Sequence, residues 1–233
     1  MPVVLVHGVP ETPAIWDAMR SQLERRDVVA LRLPGFGSPR PEGFGATKEE
    51  YVAWLAQELK GLQAEGPIDL VGHDWGGGFA VRLVSTTPEM VRSWVTDAAG
   101  VGDVNFEWHG FAKIWQTPGA GEDFWDQQLA VPADQRGPVF EWVDQTMADC
   151  ILALYRSAVN VGREWGPDFR DIPAPGLVIV PSEDPFLSTE GARAAAGRAG
   201  AGVDDLDGLG HWWMTEDPAR AASTLEAFWA GLA

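Results

Sequence analysis

The sequence predicts an α/β protein, a mostly parallel sheet flanked by helices with one helical insertion, and three observations carry that expectation. Short apolar runs rich in β-branched residues recur at 3–6, 28–33, 68–71 and 177–180, the pattern of strands buried on both faces of a parallel sheet. Capped, amphipathic helical stretches lie between most of them, as parallel pairing requires. The stretch Gly72-His73-Asp74-Trp75-Gly76 sits where one apolar run passes directly into a helical pattern. A single residue with glycine two positions to either side forms a strand–turn–helix elbow, whose apex backbone is strained and whose flanks must be small. The same pattern also serves as an ordinary glycine-rich turn, so its meaning depends on the rest of the chain.

The first strand, Val3 to Val6, ends in the turn His7-Gly8-Val9-Pro10. Thr12-Pro13 then caps a helix carrying Ile15, Trp16, Met19 and Leu23 on one face, with proline at its first position. A second strand, Val28 to Leu33, leads into Pro34-Gly35-Phe36-Gly37-Ser38, and Thr47-Lys48-Glu49-Glu50 is a capping box for a helix through Val52, Leu55, Leu59 and Leu62. Ile68 to Val71 is the central strand. The elbow and a helix from Gly76 to Thr87 follow, stopped by Pro88. Trp94 to Ala99 reads as a further strand.

From about Gly102 to Pro167 no clean strand is present, only helical stretches crowded with Trp108, Trp115, Trp125, Trp142 and Trp165. Strand character returns at Leu177 to Val180, followed by Pro181-Ser182-Glu183-Asp184-Pro185-Phe186. Val203 to Leu206 is a short last strand before Gly208-Leu209-Gly210-His211-Trp212-Trp213, and a terminal helix covers Ala219 to Leu232. The expected organisation is one core domain from residues 1–101 and 168–233, with 102–167 as a helical cap.

The 233 residues are enough for one sizeable core, and 45% apolar with 22% charged residues is ordinary globular composition. The net charge of −17 repels phosphate backbones and anionic lipid, so neither nucleic acid nor membrane is an expected partner. A single cysteine, Cys150, excludes an internal disulfide and suits a reducing compartment. No leader-like segment precedes the first strand, and the expected location is cytoplasmic. No motif calls for a cofactor or a metal. A homo-oligomer is compatible with the sequence, which leaves the oligomeric state open.

Taken together, the elbow, the His-Gly-x-Pro loop and the Gly-His loop resemble those of the α/β-hydrolase fold superfamily, and an aspartate at the elbow apex resembles its epoxide hydrolases and haloalkane dehalogenases. Such enzymes usually carry two strands before the one at Val3, so the resemblance implies an α/β-hydrolase fold lacking the usual first two strands. It also implies a nucleophile–acid–histidine order here met by Asp74, Asp184 and His211, with Glu183 as the fallback acid. The backbone N–H groups of Val9 and Trp75 would form the oxyanion hole. His7 and His73 would support loops.

An ionised carboxylate attacks an electrophilic carbon without a base, giving an alkyl-enzyme ester that histidine-activated water then cleaves. Epoxide and halide differ in the leaving group, since an opening epoxide needs a proton and a departing halide needs N–H donors. Leu154-Tyr155-Arg156-Ser157 resembles the epoxide-hydrolase segment whose tyrosine serves the ring oxygen; the usual second cap tyrosine is missing, and the resemblance to relatives that use a histidine there implies His109 as its replacement. Val9 occupies a position where many haloalkane dehalogenases have asparagine, while tryptophans could supply halide donors. The arginines that follow the nucleophile in fluoroacetate dehalogenases are replaced by Trp75 and Gly78, which argues against a carboxylate substrate. Also, aspartate usually stands where this chain has Arg32.

The expected pocket includes His109, Trp108, Phe36 and Trp212, holding a small neutral molecule. The expected activity is epoxide hydrolysis to a diol, with haloalkane dehalogenation as the alternative. A ligand-binding protein of the same fold is the non-catalytic reading, and it predicts a broken triad.

Overall fold

The computed structural model describes residues 1–137 and 140–232. In chain order these form β1 (Val3–Val6), α1 (Asp17–Gln22), β2 (Val28–Leu31), α2 (Lys48–Leu62), β3 (Asp69–Gly72), α3 (Trp75–Thr86) and β4 (Ser93–Thr96). Four helices follow, α4 (Gly110–Gln116), α5 (Ala120–Ala130), α6 (Gln145–Ser157) and α7 (Val161–Trp165). The chain then returns through β5 (Gly176–Pro181), α8 (Thr189–Ala199), β6 (Gly202–Leu206), α9 (Trp213–Glu216) and α10 (Pro218–Ala230). Among the described residues no helix is long and apolar enough to cross a membrane.

The strands make one six-stranded sheet in the order β2-β1-β3-β4-β5-β6, and every pairing is parallel. Alternation along each strand sends neighbouring side chains to opposite faces. Val4, Val6, Leu70, Trp94 and Val178 pack with α2, α3, α8 and the helices between β4 and β5. Val3, Leu5, Val71, Val95 and Ile179 pack on the other face with Trp16, Met19, Trp213, Leu225 and Trp229. Both faces are covered, which is why these strands read as continuous apolar runs.

Local signals set several boundaries. Thr47 and Glu50 form the reciprocal capping box that opens α2. The helix expected after Thr12-Pro13 begins as a 3-10 turn over Pro13–Trp16 before α1. The register aligns Val6, Gly72 and Thr96 across β1, β3 and β4, so the loops leaving these strands emerge side by side.

The elbow glycines are a matter of space. A Cβ on Gly76 would drive into the Val6 carbonyl oxygen, and one on Gly72 into that of Gly76. Both obstacles are backbone, fixed by sheet and helix. Gly76→Ala is expected to destabilise by about 3 kcal/mol or more, read by urea unfolding. Gly61→Ala, late in α2 with open space around it, is the control and should be neutral or gain about 0.5–1 kcal/mol.

Candidate active site

Asp74 sits at the apex between β3 and α3 with φ 49° and ψ −120°, a conformation costly for any residue but glycine. Its N–H donates to Asp97 Oδ1 at 2.9 Å, which helps hold the strained apex. The Val9 N–H donates to Asp74 Oδ1 at 2.9 Å. Gly8 is needed beside it, because a Cβ there would overlap the Asp74 side chain. The Trp75 N–H, in the first turn of α3, finds no acceptor among the described residues.

His211, on the loop after β6, contacts Asp184 Oδ2 through Nδ1 at 2.8 Å. That contact fixes the ring so that Nε2 faces Asp74 Oδ2, 3.9 Å away and too far for a direct hydrogen bond. Asp184, on the loop after β5, is held in turn by the Phe186 N–H on Oδ1 at 2.8 Å. The neighbouring Glu183 side chain is exposed and takes no part.

Burial pushes the Asp74 carboxyl up to about 6, partly offset by the nearby His211 and His73 and by the Val9 hydrogen bond. Asp74 is still largely ionised at neutral pH. For His211, burial opposes the charged form, but the Asp184 hydrogen bond and the carboxylates of Asp74 and Asp184 outweigh it and raise its pKa.

A cavity of about 210 Å³ opens above Asp74 and His211, lined also by Val9, Pro10, His109, Tyr155, Phe186 and Trp212. Among its described lining residues there is no lysine or arginine. Tyr155, on α6, is buried, and burial followed by the Asp74 charge raises its pKa well above the ordinary phenol value, so it stays protonated. His109 caps α4, its Nδ1 accepting from the Ala112 N–H at 3.3 Å. Burial first, then repulsion from His211, lowers its pKa to about 4. With Nδ1 accepting and the ring neutral, the proton sits on Nε2. The cavity therefore has two neutral donors from its helical side.

Several tryptophan N–H groups near the site are engaged by protein acceptors. Trp108 Nε1 donates to Ala158 O at 3.0 Å, Trp212 Nε1 to Glu11 Oε1 at 2.7 Å and Trp213 Nε1 to Asp97 Oδ2 at 2.7 Å. Trp115 and Trp125 have Nε1 atoms buried without a partner.

Two pocket expectations need correction. Phe36 is fully buried and packs edge-on against His7 and Tyr51 at centroid distances of 5.9 and 6.2 Å, so it belongs to the core and not to the cavity. Trp108 stays out of the main cavity and backs Tyr155 at 5.2 Å, lining only a narrow recess beside Asp74 and Trp75. In their place Phe186, Phe111, Trp115 and Phe140 line the cavity. Phe111 and Trp115 are four apart, one helix face, and that spacing could have marked them.

No local motif marks Glu11 or Asp97. Glu11 takes the Gly8 N–H at 2.9 Å and lies 3.1 Å from His73 Nε2, while Asp97 takes His73 Nδ1 on its other side. His7 has a loop-holding part, its Nε2 accepting from the Leu33 N–H at 3.2 Å. Donor atoms of Glu11, His73 and His211 lie within 4.8 Å of one another, a spacing a metal could use. The Glu11 and His73 atoms are, however, already paired with each other, and this donor set does not fit a metal without breaking that pair.

An all-parallel sheet with a strained carboxylate elbow, and with an Asp–His pair on neighbouring strand-end loops, defines the architecture of an α/β hydrolase. A family model described as the alpha/beta hydrolase family matches residues 3–224, and the chain belongs to that family. It is 36% identical over 120 residues to a 2-hydroxy-6-oxo-2,4-heptadienoate hydrolase of Pseudomonas putida, covering 49% of this chain and only 42% of that relative. It is 26% identical to a 2-hydroxymuconate semialdehyde hydrolase of Pseudomonas sp., over 98% of this chain and 87% of the relative. Among solved structures, a haloalkane dehalogenase of Agrobacterium tumefaciens superposes with a TM-score of 0.80 at 19% identity, covering 100% of this chain and 90% of that one. At that identity the likeness concerns the fold.

Proposed function

We propose that the protein hydrolyses small neutral epoxides to diols through a covalent ester on Asp74. Asp74 Oδ1 is already engaged by Val9, which leaves Oδ2 to attack a ring carbon. The C–O bond breaks and its electrons pass to the ring oxygen, which takes a proton or hydrogen bond from Tyr155 or His109. In the resulting ester Oδ1 is the carbonyl oxygen. His211, oriented by Asp184, then takes a proton from water as that water attacks Cγ. Negative charge gathers on Oδ1 between the Val9 and Trp75 N–H groups, where each donor is worth about 3 kcal/mol. Collapse expels the diol, whose departing oxygen takes the proton held by His211, and the second proton of the water returns to the donor that served the ring oxygen as the Asp74 carboxylate is restored.

The observation that carries the epoxide reading is the donor set. Tyr155 and a neutral His109 face the cavity, while the indoles of Trp108 and Trp212 are engaged with protein acceptors. Halide release is the second reading, supported by the Trp75 ring lining the recess beside Asp74. The dienoate and semialdehyde named for the relatives fit less well. A carboxylate would meet Asp74 in a cavity whose described lining offers no lysine or arginine.

Tyr155→Phe tests the choice. Losing the general acid should slow diol formation by about 10²–10⁴-fold with little change in substrate binding, measured on a panel of epoxides and haloalkanes scored for both diol and halide. A dehalogenase would keep its halide release in Tyr155→Phe and lose it in Trp75→Phe. Epoxide turnover within about threefold of wild type, far below the range for a lost general acid, would shift the donor role to His109 or reject the epoxide reading.

A further inference from the structure

Beneath the cavity lie three buried ionisable groups with no part in the chemistry above: Glu11, His73 and Asp97. Both ring nitrogens of His73 face carboxylates, Nδ1 toward Asp97 Oδ2 and Nε2 toward Glu11 Oε1 at 3.1 Å. A neutral imidazole carries one N–H, so one of its nitrogens would set a lone pair against a carboxylate oxygen. Only the imidazolium satisfies both. The remaining acceptor positions are filled from the loops that build the site: the Gly8 N–H and Trp212 Nε1 bind Glu11, and the Asp74 N–H and Trp213 Nε1 bind Asp97. The His73 ring is packed on His211, with centroids 4.6 Å apart.

We propose that His73 is a permanently protonated positioning residue which, locked between Glu11 and Asp97, opposes protonation of the adjacent His211 and keeps the midpoint of that base below where Asp184 and Asp74 alone would set it. The proposal rests on His211 being the base of the hydrolytic half-reaction. The groups facing His211 are Asp184 on Nδ1, Asp74 at 3.9 Å, His73, the neutral His109, and Glu11 through Trp212. Asp184 and Asp74 draw a proton onto His211. His73, charged and a few ångströms away, is the group that opposes them, and the burial of both rings keeps that repulsion from being screened. His73 itself faces Asp97, Glu11, His211, His7 and the Asp74 charge, and the two contacting carboxylates hold its proton against burial.

The chain has only four histidines, so each imidazole can be followed by NMR in enzyme labelled at histidine. In wild type, His73 should show imidazolium shifts throughout pH 5–9. Removing the cation in His73→Gln should raise the His211 midpoint by about one pH unit. Removing a neighbouring anion in Glu11→Gln should lower it. Opposite displacements are the signature, since a merely structural loss would not give the two variants opposite signs. A neutral His73 at pH 7, or a His211 midpoint that stays put or moves in the same direction in both variants, overturns the proposal. If His73→Gln does not fold, the wild-type His73 shifts and the direction in Glu11→Gln decide. Failure of His211→Gln to accumulate an alkyl-enzyme would count against the reaction reading instead, and the midpoints would still decide the charge on His73.

Discussion

Replacing Asp74 with asparagine is expected to lower epoxide turnover by about 10⁴-fold or more, the scale on which loss of a covalent nucleophile is felt. The variant keeps an oxygen for the Val9 N–H and a side chain of the same size, so the fold and cavity should persist. The decisive form of the experiment uses wild-type enzyme in excess over substrate in heavy-oxygen water. Water attacks Cγ of the ester, so the label enters the Asp74 carboxylate and the first diol leaves with an oxygen from the protein. Mass spectrometry of the peptide containing Asp74 reads this directly. Label found first in the diol would mean that water attacks the substrate itself and that Asp74 is not a nucleophile.

Asp74 also links reactivity to stability. Its pKa in the fold is pushed from 3.8 to about 6 by burial. A carboxyl group raised in this way favours the native state below its unfolded pKa, and that contribution is lost as pH rises through about 6. Wild type should therefore be less stable than Asp74→Asn at pH 8, by about 3 kcal/mol, with the gap closing toward pH 4. The same protonation should switch off ester formation as pH falls through about 6. Denaturant unfolding of both proteins at the two pH values checks the first statement, and single-turnover rates check the second.

Substituting His211 with glutamine is the second large effect. The carboxylate needs no base to attack, so the first half-reaction should survive, while hydrolysis loses a general base worth about 10²–10⁴-fold. The ester then accumulates. For an epoxide the peptide containing Asp74 should gain the full mass of the substrate, because ring opening expels nothing. For a haloalkane it should gain the substrate mass less one hydrogen halide. The single measurement thus tests the role of His211 and the class of substrate together. A substrate that binds and leaves no adduct would remove His211 from the hydrolytic step. In wild type, protonation of His211 should slow hydrolysis as pH falls through a midpoint above the ordinary imidazole value, since the Asp184 hydrogen bond and nearby carboxylates outweigh burial.

Much of the fold was legible because its signals are local. The glycines at 72 and 76 answer to a contact between adjacent backbone segments, and the Thr47–Glu50 box closes within one turn. The loop bearing Asp74 was readable for the same reason, a short motif at the end of an apolar run, whereas Asp184 and His211 were marked by the resemblance of their loops to those of the α/β-hydrolase fold. What was not readable depends on distant partners. Glu11 looks like a solvent-facing residue in a turn, and only the approach of His73 and Trp212, 62 and 201 positions away, makes it a buried anion. Phe36 and Phe186 are both aromatic residues in strand-end loops. The first is drawn into the core by Tyr51, and the second stands beside His211 because the Asp184 loop turns it there.

On the proposed mechanism the two donors facing the leaving group come from the cap of α4 and from α6, whereas the carboxylate, its supporting amides and the histidine come from the strand-end loops and the first turn of α3. On that reading bond making and bond release are supplied by separate parts of the chain. The strand-end loops are spaced by the sheet, and changing them disturbs the frame that α3 and β3 share. His109 and Tyr155 answer to a different set of neighbours, the first capping α4 and the second packing against Trp75, Trp108 and Trp115. If the proposed ester on Asp74 is the intermediate, exchanging the stretch that holds these two residues should redirect the enzyme toward a different departing atom while that ester forms and is cleaved as before, so that new substrates are reached by changes away from the nucleophile.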